Sequence, residues 1–212
     1  MKIFFLKIIA IIFTAYLVLS FPPIKRQILY PFPYRKAVED YSGRYNVDKF
    51  LSIAVMKTES NFSETAKSQS GAVGLMQLMP ETAAWIAYRL GDYLQETDEG
   101  MNFYAPDTNI RYGIWYLSEL QAEFEGNDVL ALAAYNAGRG NVRHWIEKNY
   151  LQKDSTDIEG IPYAETRDYV KKVLYRREKY RELYENEKFP AHFVEPGEIT
   201  LSNISPRFLL RF

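Results

Sequence analysis

One acidic side chain in the sequence is well positioned for acid catalysis. Glu59 ends a largely apolar segment that is predicted to be a helix. Apolar surroundings and the negative end of the helix dipole both favour the neutral form of a carboxyl group at that point. A carboxylic acid that keeps its proton near neutral pH can donate it to a substrate. Taken by itself, however, Glu59 is more simply explained as a glutamate on a solvated helix end.

Two further segments carry side chains that suit ligand binding. Ser68–Pro80 is rich in small residues, which let the backbone approach a ligand, and its Gln77 offers hydrogen-bond donors and an acceptor. Ala133–Gly138 ends a short apolar helix with Tyr135 and Asn136, which can line a cleft. Considered singly, each segment is more easily explained as structure: a loop that leads into a helix, and a helix that ends at a glycine.

The composition narrows the chemistry further. The chain has 212 residues, which is room for one globular domain, and it contains no Cys and only two His, His144 and His192. Thiolate metal sites, cysteine nucleophiles and His-rich metal centres are therefore excluded. The net charge of −1 lacks the basic excess that is typical of nucleic-acid-binding proteins. We expect no metal, no cofactor and no nucleic-acid partner, so that carboxylate chemistry remains.

The first part of the chain has the character of an export signal. Ile3–Phe21 is apolar except for one lysine and small hydroxyl residues, and Pro22 and Pro23 are expected to stop the helix. A helix that spans a membrane needs about 20 apolar residues. Val18–Ser20 makes a poor cleavage site for a signal peptidase. The sequence therefore predicts an uncleaved transmembrane anchor over residues 1–22, with signal cleavage and secretion as the alternative.

The rest of the chain is predicted to be helical. We expect a linker over residues 23–34, one domain over residues 35–188, and a tail over residues 189–212. Apolar periodicity, a cap at Asp48 and a proline at the start of a helix, Pro80, predict the helices of this domain. Their expected spans are about 35–45, from 48, from 80, 107–124, 128–136, 141–150 and 164–187. No stretch longer than four residues alternates with period two, so no substantial sheet is expected.

Four motifs occur together in a recognisable order. They are Glu59–Ser60, Gly74–Pro80, Ala134–Gly138 and Ile161–Val170. In this order and spacing they resemble the lytic transglycosylases of the soluble murein transglycosylase family, whose fold is similar to that of goose-type lysozyme. The resemblance extends from about residue 35 to residue 184. It implies a mainly α, lysozyme-like catalytic domain, preceded by the N-terminal transmembrane helix.

The resemblance also implies roles for single residues. Glu59 corresponds to the catalytic acid and base of the family. The hydroxyl of Tyr135 is expected beside its carboxyl group, with Asn136 supporting that corner. Glu165 is expected to contact sugar or to support a residue that does, and Tyr169 to pack nearby. The full set of expected substrate-binding residues is Ser68, Gln77, Met79, Tyr135, Asn136, Glu165 and Tyr169.

The implied reaction cleaves peptidoglycan at the β-1,4 bond between N-acetylmuramic acid and N-acetylglucosamine. Glu59 protonates the bridging oxygen, the acetamido group stabilises the cation, and the C6 hydroxyl closes a 1,6-anhydro ring without water. No second carboxylate falls in the motifs as a partner, since Glu64 and Glu81 have the character of solvated surface residues. Two alternatives stay open: a hydrolytic muramidase, and a non-catalytic, membrane-tethered protein that binds glycan or assists assembly.

The implied substrate also sets the expected location. Peptidoglycan lies outside the cytoplasmic membrane of bacteria, so we expect the N-terminus inside and the catalytic domain on the extracytoplasmic side. The expected partners are glycan strands of peptidoglycan and, through the N-terminal helix, the cell membrane. We expect the protein to act as a monomer, without accessory wall-binding functions.

Overall fold

The structure is a computed structural model that describes residues 2–92 and 102–186. The chain divides into two compact units, one of Arg35–Arg181 and one of Met1–Tyr34 with Glu182–Phe212. Within the described residues the regular secondary structure is helical, and pairing of β type is limited to isolated bridges in one loop. This confirms the prediction of a mainly α protein. The predicted tail at residues 189–212 lies outside the described residues.

The N-terminal segment begins with α1, Lys2–Ser20, followed by α2, Pro22–Ile24, and a π-helical turn, Lys25–Leu29. Helix α1 ends at Ser20, just before the prolines, as expected, but helical backbone resumes at Pro22, which was not expected. Proline fits the first turn of a helix because the backbone N–H that it lacks would have no partner there. No helix within the described ranges combines the length and the apolar character that crossing a membrane requires.

The same unit contains a cluster around Tyr184. The hydroxyl of Tyr184 donates a hydrogen bond of 2.8 Å to the carbonyl of Tyr30. The rings of Phe32 and Tyr184 meet edge to face with centroids 5.5 Å apart, and the guanidinium of Arg26 lies 5.4 Å from the Tyr184 centroid. These contacts fix part of the segment that was predicted to be a linker, residues 23–34.

The second unit is built from seven helices of the described chain. Most begin and end within a few residues of the predicted spans. They are α3 Arg35–Tyr45, α4 Lys49–Glu59, α5 Pro80–Leu90, α6 Pro106–Glu123, α7 Asp128–Ala137, α8 Arg139–Glu147 and α9 Ala164–Tyr184, of which α9 continues past the unit.

Helix α8 differs most from its prediction of residues 141–150. It begins at Arg139, directly after α7, because Gly138 has φ = +88° and serves both as the C-cap of α7 and as the N-cap of α8. It ends at Glu147, two residues before Asn149, whose φ of +59° breaks the helical path. Glycine adopts positive φ without steric penalty, so the chain changes direction at a single residue.

The core of this unit is formed mainly by α4, α6 and α7. All side chains from Phe50 to Met56 in α4 are buried, as are those from Val129 to Ala134 in α7. Helix α6 packs against α3, α5 and α7. A helix that is buried around its whole circumference must be apolar on all sides, which is why α4 and α7 show little amphipathic pattern. The end of α4 therefore delivers Glu59 to a poorly solvated position.

The loop between α4 and α5 is held by one buried side chain of α6. Asn109 is 1% exposed, and its Oδ1 accepts a 2.7 Å hydrogen bond from the backbone N–H of Met76. Its Nδ2 donates to the carbonyls of Val73 and Phe103, at 3.1 and 2.8 Å. A Cβ atom on Gly74, which has φ = +77°, would lie 2.5 Å from this nitrogen. Glycine at position 74 is required both by the backbone conformation and by the approach of Asn109.

Candidate active site

The centre of the candidate site is a hydrogen bond between α4 and α9. The hydroxyl of Tyr169 donates to Oε1 of Glu59 at 2.7 Å. Tyr169 is 7% exposed, and Glu59 is partly exposed, so the carboxyl group can still meet a ligand. The two residues are 110 positions apart in the chain.

Burial controls the protonation of this carboxyl group. It raises the pKa of Glu59 from 4.5 to about 7, and the hydrogen bond from Tyr169 opposes that shift because it favours the carboxylate. No second carboxylate contributes to the shift among the described residues. Near neutral pH, Glu59 therefore exists in comparable amounts as acid and as base, which suits a residue that must both give and take a proton.

The residue after Glu59 ties the helix end to the loop that precedes α5. The hydroxyl of Ser60 lies 2.8 Å from the carbonyl of Leu75 and 3.2 Å from that of Met56. It also accepts a hydrogen bond of 3.1 Å from the backbone N–H of Phe62. The serine of the Glu59–Ser60 motif thus has a structural role, because it connects the end of α4 to the loop between α4 and α5.

Tyr135 and Tyr169 are both close enough to Glu59 for its charge to act on them, but only Tyr169 forms a hydrogen bond with it. The Tyr135 hydroxyl donates to the carbonyl of Met76 at 2.8 Å, while the hydrogen bond to Glu59 comes from Tyr169. Burial, and next the charge of Glu59, raise the pKa of both tyrosines far above its usual value. Both hydroxyl groups therefore keep their protons and act as donors. The sequence could not predict which hydroxyl group forms the hydrogen bond with Glu59, because each tyrosine lies in one of the four motifs.

Asn136 joins the end of α7 to the start of α9. Its Oδ1 accepts a 2.8 Å hydrogen bond from the hydroxyl of Thr166, which is 2% exposed. Thr166 was not among the expected site residues, although it lies in the fourth motif. This bond anchors the helix that carries Tyr169.

Gln77 and Ser68 hold their own loop. Nε2 of Gln77 donates to the carbonyls of Gly74 and Ala66 at 2.8 and 3.1 Å, and its backbone has φ = +47°. The hydroxyl of Ser68 accepts from the backbone N–H of Ala72 at 2.9 Å. The amide donors of Gln77, which were expected to bind a ligand, are thus hydrogen-bonded to the backbone.

The other two expected residues, Met79 and Glu165, lie at the starts of two helices. Met79 is 40% exposed at the start of α5, and Glu165 is exposed in the first turn of α9. No hydrogen bond joins either of them to Glu59 in the described parts of the chain. Within those parts, no group of three or more His, Asp or Glu side chains is arranged to hold a metal ion.

Comparison with known proteins places these motifs in context. The family model described as "Transglycosylase SLT domain" matches residues 36–158. The soluble lytic murein transglycosylase of Salmonella typhimurium is 35% identical over 177 residues, which cover 82% of this chain and 25% of the relative. The membrane-bound lytic murein transglycosylase C of Actinobacillus pleuropneumoniae is 30% identical over 168 residues, 69% of this chain and 45% of the relative.

Two solved structures are also similar to this chain. The lytic transglycosylase Slt of Pseudomonas aeruginosa, in an inactive mutant form, superposes with a TM-score of 0.63 and 36% identity over 74% of this chain and 25% of that chain. The 70 kDa soluble lytic transglycosylase of Escherichia coli gives a TM-score of 0.63 and 31% identity, with the same two coverages of 74% and 25%. The present chain therefore spans about a quarter of the length of the soluble relatives that it matches.

The raised pKa of Glu59 should make the stability of the fold depend on pH. Between pH 4.5 and about 7 the folded protein holds a proton on Glu59 that the unfolded chain has lost, so this group reduces stability as the pH rises through that window. Glu59→Gln removes the charge and keeps the shape. We expect it to raise the free energy of unfolding by about 2–3 kcal/mol at pH 8 and to change it little at pH 4.

Urea denaturation of the two proteins at both pH values measures this difference. Glu147→Gln, at an exposed position at the end of α8, serves as the control and should change stability by less than about 0.5 kcal/mol at either pH. An equal effect of Glu59→Gln at pH 4 and pH 8 would contradict the assignment of a buried, proton-holding carboxyl group.

Proposed function

This chain belongs to the family of the transglycosylase SLT domain, and on that basis we propose that it is a peptidoglycan lytic transglycosylase. The observation that carries the proposal is the single carboxyl group of Glu59, whose pKa of about 7 is set by burial and by Tyr169 alone. The relatives are lytic murein transglycosylases, and their names supply the substrate class.

The first step is a proton transfer from Glu59. The acid donates its proton to the oxygen that bridges N-acetylmuramic acid and N-acetylglucosamine, and the bond from this oxygen to C1 of the muramic acid breaks. The electron pair of that bond stays with the departing oxygen. The acetamido group of the muramic acid stabilises the cation that forms at C1. Burial supports this step because it keeps Glu59 protonated at a pH where an ordinary glutamate is ionised.

The second step uses the carboxylate that the first step leaves behind. Glu59 takes the proton of the C6 hydroxyl while the O6 atom bonds to C1, so that a 1,6-anhydro ring closes and the acid is regenerated. Tyr169 donates its hydrogen bond to the carboxylate between the two steps. One carboxyl group serves as acid and then as base, and no water is consumed.

Two observations favour this reaction over the alternatives. A hydrolytic muramidase uses a second carboxylate about 5–10 Å from the first. Among the described residues, no acidic side chain contributes to the pKa shift of Glu59. Glu81 and Glu165, the first candidates for such a partner, are both exposed. A buried carboxyl group with a raised pKa destabilises the fold when it ionises, and such groups are typical of catalytic sites. A protein that only binds glycan does not need one.

The product distinguishes a transglycosylase from a muramidase. We expect digestion of purified peptidoglycan in water enriched in ¹⁸O to yield muropeptides with 1,6-anhydromuramic ends and no heavy oxygen, because the C6 hydroxyl closes the ring. Mass spectrometry of the muropeptides measures this. Glu59→Gln, which cannot donate a proton, should lose nearly all activity and serves as the blank. Reducing ends that carry one heavy oxygen would establish a hydrolase and would direct substitution to Glu81 and Glu165.

The hydrogen bond from Tyr169 predicts a shift in the pH profile. Tyr169→Phe removes a donor that favours the carboxylate, so the pKa of Glu59 rises further and the loss of activity at high pH moves upward by about 1 unit. We expect kcat to fall as well, since the carboxylate formed in the first step is less stabilised.

The pH dependence of kcat/KM measures this shift, and Tyr135→Phe provides a matched control. It removes a hydroxyl that bonds to the backbone of Met76 rather than to Glu59. Its high-pH limb should therefore stay in place, whatever its effect on the rate. If the two variants move the limb alike, the special relation of Tyr169 to the acid is refuted.

We propose that the catalytic domain lies on the extracytoplasmic side of a bacterial cell membrane, held there by the N-terminal segment. In α1, Phe4, Phe5 and Ile11 are 70%, 67% and 67% exposed, which leaves an apolar surface for lipid. Relatives named as membrane-bound and as soluble both match this chain. Secretion after signal cleavage is the alternative.

Cell fractionation and sequencing of the mature N-terminus decide between the two. We expect an uncleaved chain in the membrane fraction, and release of the chain by the pair Ile11→Asp and Ile12→Asp, because each charge in a lipid-embedded helix costs about 3 kcal/mol. Ile11→Leu with Ile12→Leu is the control and should stay bound. A soluble product that starts near Phe21 would show that the segment is a cleaved signal.

A further inference from the structure

We propose that Asn109 of α6 is a positioning residue of the candidate active site, which keeps the hydroxyl group of Tyr135 away from the carboxyl group of Glu59. It acts through Met76, a residue of the loop between α4 and α5. Asn109 is not among the expected site residues and lies in none of the four motifs. The inference deepens the proposed function and rests on it, because Glu59 is the acid of the proposed reaction.

Met76 lies in a tight turn of the backbone. The backbone N–H of Gln77 donates to the carbonyl of Gly74 at 3.2 Å, which closes the turn around Leu75 and Met76. The peptide unit that joins Leu75 to Met76 is the central one of this turn. Type I and type II turns differ mainly in the orientation of the central peptide. Its orientation here therefore depends on the groups that bond to its carbonyl and to its N–H.

Both polar ends of this central peptide are held by side chains. At one end, the hydroxyl of Ser60 lies 2.8 Å from the carbonyl of Leu75. At the other end, Oδ1 of Asn109 accepts the 2.7 Å hydrogen bond from the N–H of Met76. The amide group of Asn109 is itself fixed, because its nitrogen donates to two backbone carbonyls. The peptide cannot rotate while these bonds are in place.

The same residue, Met76, also holds the hydroxyl group of Tyr135. Its carbonyl accepts the hydrogen bond of 2.8 Å that this hydroxyl donates. The side chain of Met76 is fully buried, and a Cβ atom on Gly113 of α6 would lie 2.5 Å from the Cβ atom of Met76. Met76 is thus held tightly against α6, and the direction of its carbonyl depends on the bond from its N–H to Asn109.

The carboxyl group of Glu59 is the competing acceptor for Tyr135. Its charge already acts on Tyr135, and a carboxylate accepts a hydrogen bond more strongly than a carbonyl does. In the described chain, the titratable groups that interact with Glu59 are Tyr135 of α7 and Tyr169 of α9, and Tyr169 already donates to it. A second donor would favour the carboxylate, lower the pKa of Glu59 and leave less of the acid form near neutral pH.

The pKa of Glu59 in Asn109→Ala tests this role without any turnover. The full chain, labelled with ¹³C at its glutamate carboxyl groups, is titrated by NMR in detergent, and Glu59→Gln identifies the signal of Glu59. We expect a pKa of about 7 in the unchanged protein and a value about one unit lower in Asn109→Ala. Adding Tyr135→Phe should restore the original value, because the released hydroxyl group is then absent.

The same change should appear in catalysis. In the pH dependence of kcat/KM on peptidoglycan, we expect the high-pH limb of Asn109→Ala to move downward by about one unit. This direction is opposite to the one expected for Tyr169→Phe. The double variant with Tyr135→Phe should return the limb to its original place.

Three further variants separate positioning from damage to the fold. Asn109→Asp keeps an acceptor for the N–H of Met76, so the pKa of Glu59 should not fall. Ser42→Ala removes a hydroxyl that is 2% exposed and bonded to Ser52 at 2.9 Å, so it should lower stability without changing that pKa. If Asn109→Ala is too unstable to titrate, Asn109→Ser provides the same test, because its side chain is too short to hold Met76.

Two results would overturn the proposal. One is a pKa of Glu59 that does not fall in Asn109→Ala or in Asn109→Ser. The other is a fall that persists when Tyr135→Phe is added, since Tyr135 would then not be the route. The proposed function is judged separately, from the products. Anhydro products without the change in pKa refute only the role of Asn109, and hydrolytic products with that change refute only the transglycosylase.

Discussion

The candidate site depends on a carboxyl group that is held where water solvates it poorly. Glu59 ends a helix in which every residue from Phe50 to Met56 is buried, so its position follows from the packing of the core. Removing a carboxylate from water is unfavourable, and this raises the pKa of Glu59 to about 7. The proposed chemistry uses that penalty, because a group that is reluctant to ionise is a good proton donor and its carboxylate is a good acceptor.

The other interactions of the site maintain this position. Ser60 connects the end of α4 to the carbonyl of Leu75, and Asn109 connects α6 to the same loop through Met76. Tyr135 reaches the loop from α7, again at Met76, through that residue's carbonyl. Three helices thus bond to a few adjacent backbone groups. These hydrogen bonds fix the backbone of an irregular loop beside the acid, so Leu75 and Met76 are already ordered before a ligand binds.

Much of this arrangement could be predicted from the sequence, and the limits have physical causes. Apolar periodicity and capping residues predicted the helical domain, because local interactions determine where helices begin and end. The start of α8 was missed because Gly138 caps two helices at once. The resemblance placed the hydroxyl of Tyr135 beside Glu59 and Tyr169 only nearby, whereas the hydrogen bond to Glu59 comes from Tyr169, because tertiary packing decides which hydroxyl group reaches the carboxyl. The part played by Asn109 had no local signal, because two of its three partners, Met76 and Val73, lie 33 and 36 residues away in the chain.

The distance along the chain between Glu59 and Tyr169 has a consequence for biogenesis. A chain is synthesised from its N-terminus, and 110 residues separate the two partners of the central hydrogen bond. While the nascent polypeptide ends before α9, the acid is without its tyrosine, and the helix that helps to exclude solvent from it does not yet exist. The burial that raises the pKa of Glu59 is completed only by the late docking of that helix. A chain that ends before α9 therefore lacks the hydrogen bond from Tyr169, and the environment of Glu59 is complete only after a late, long-range folding event.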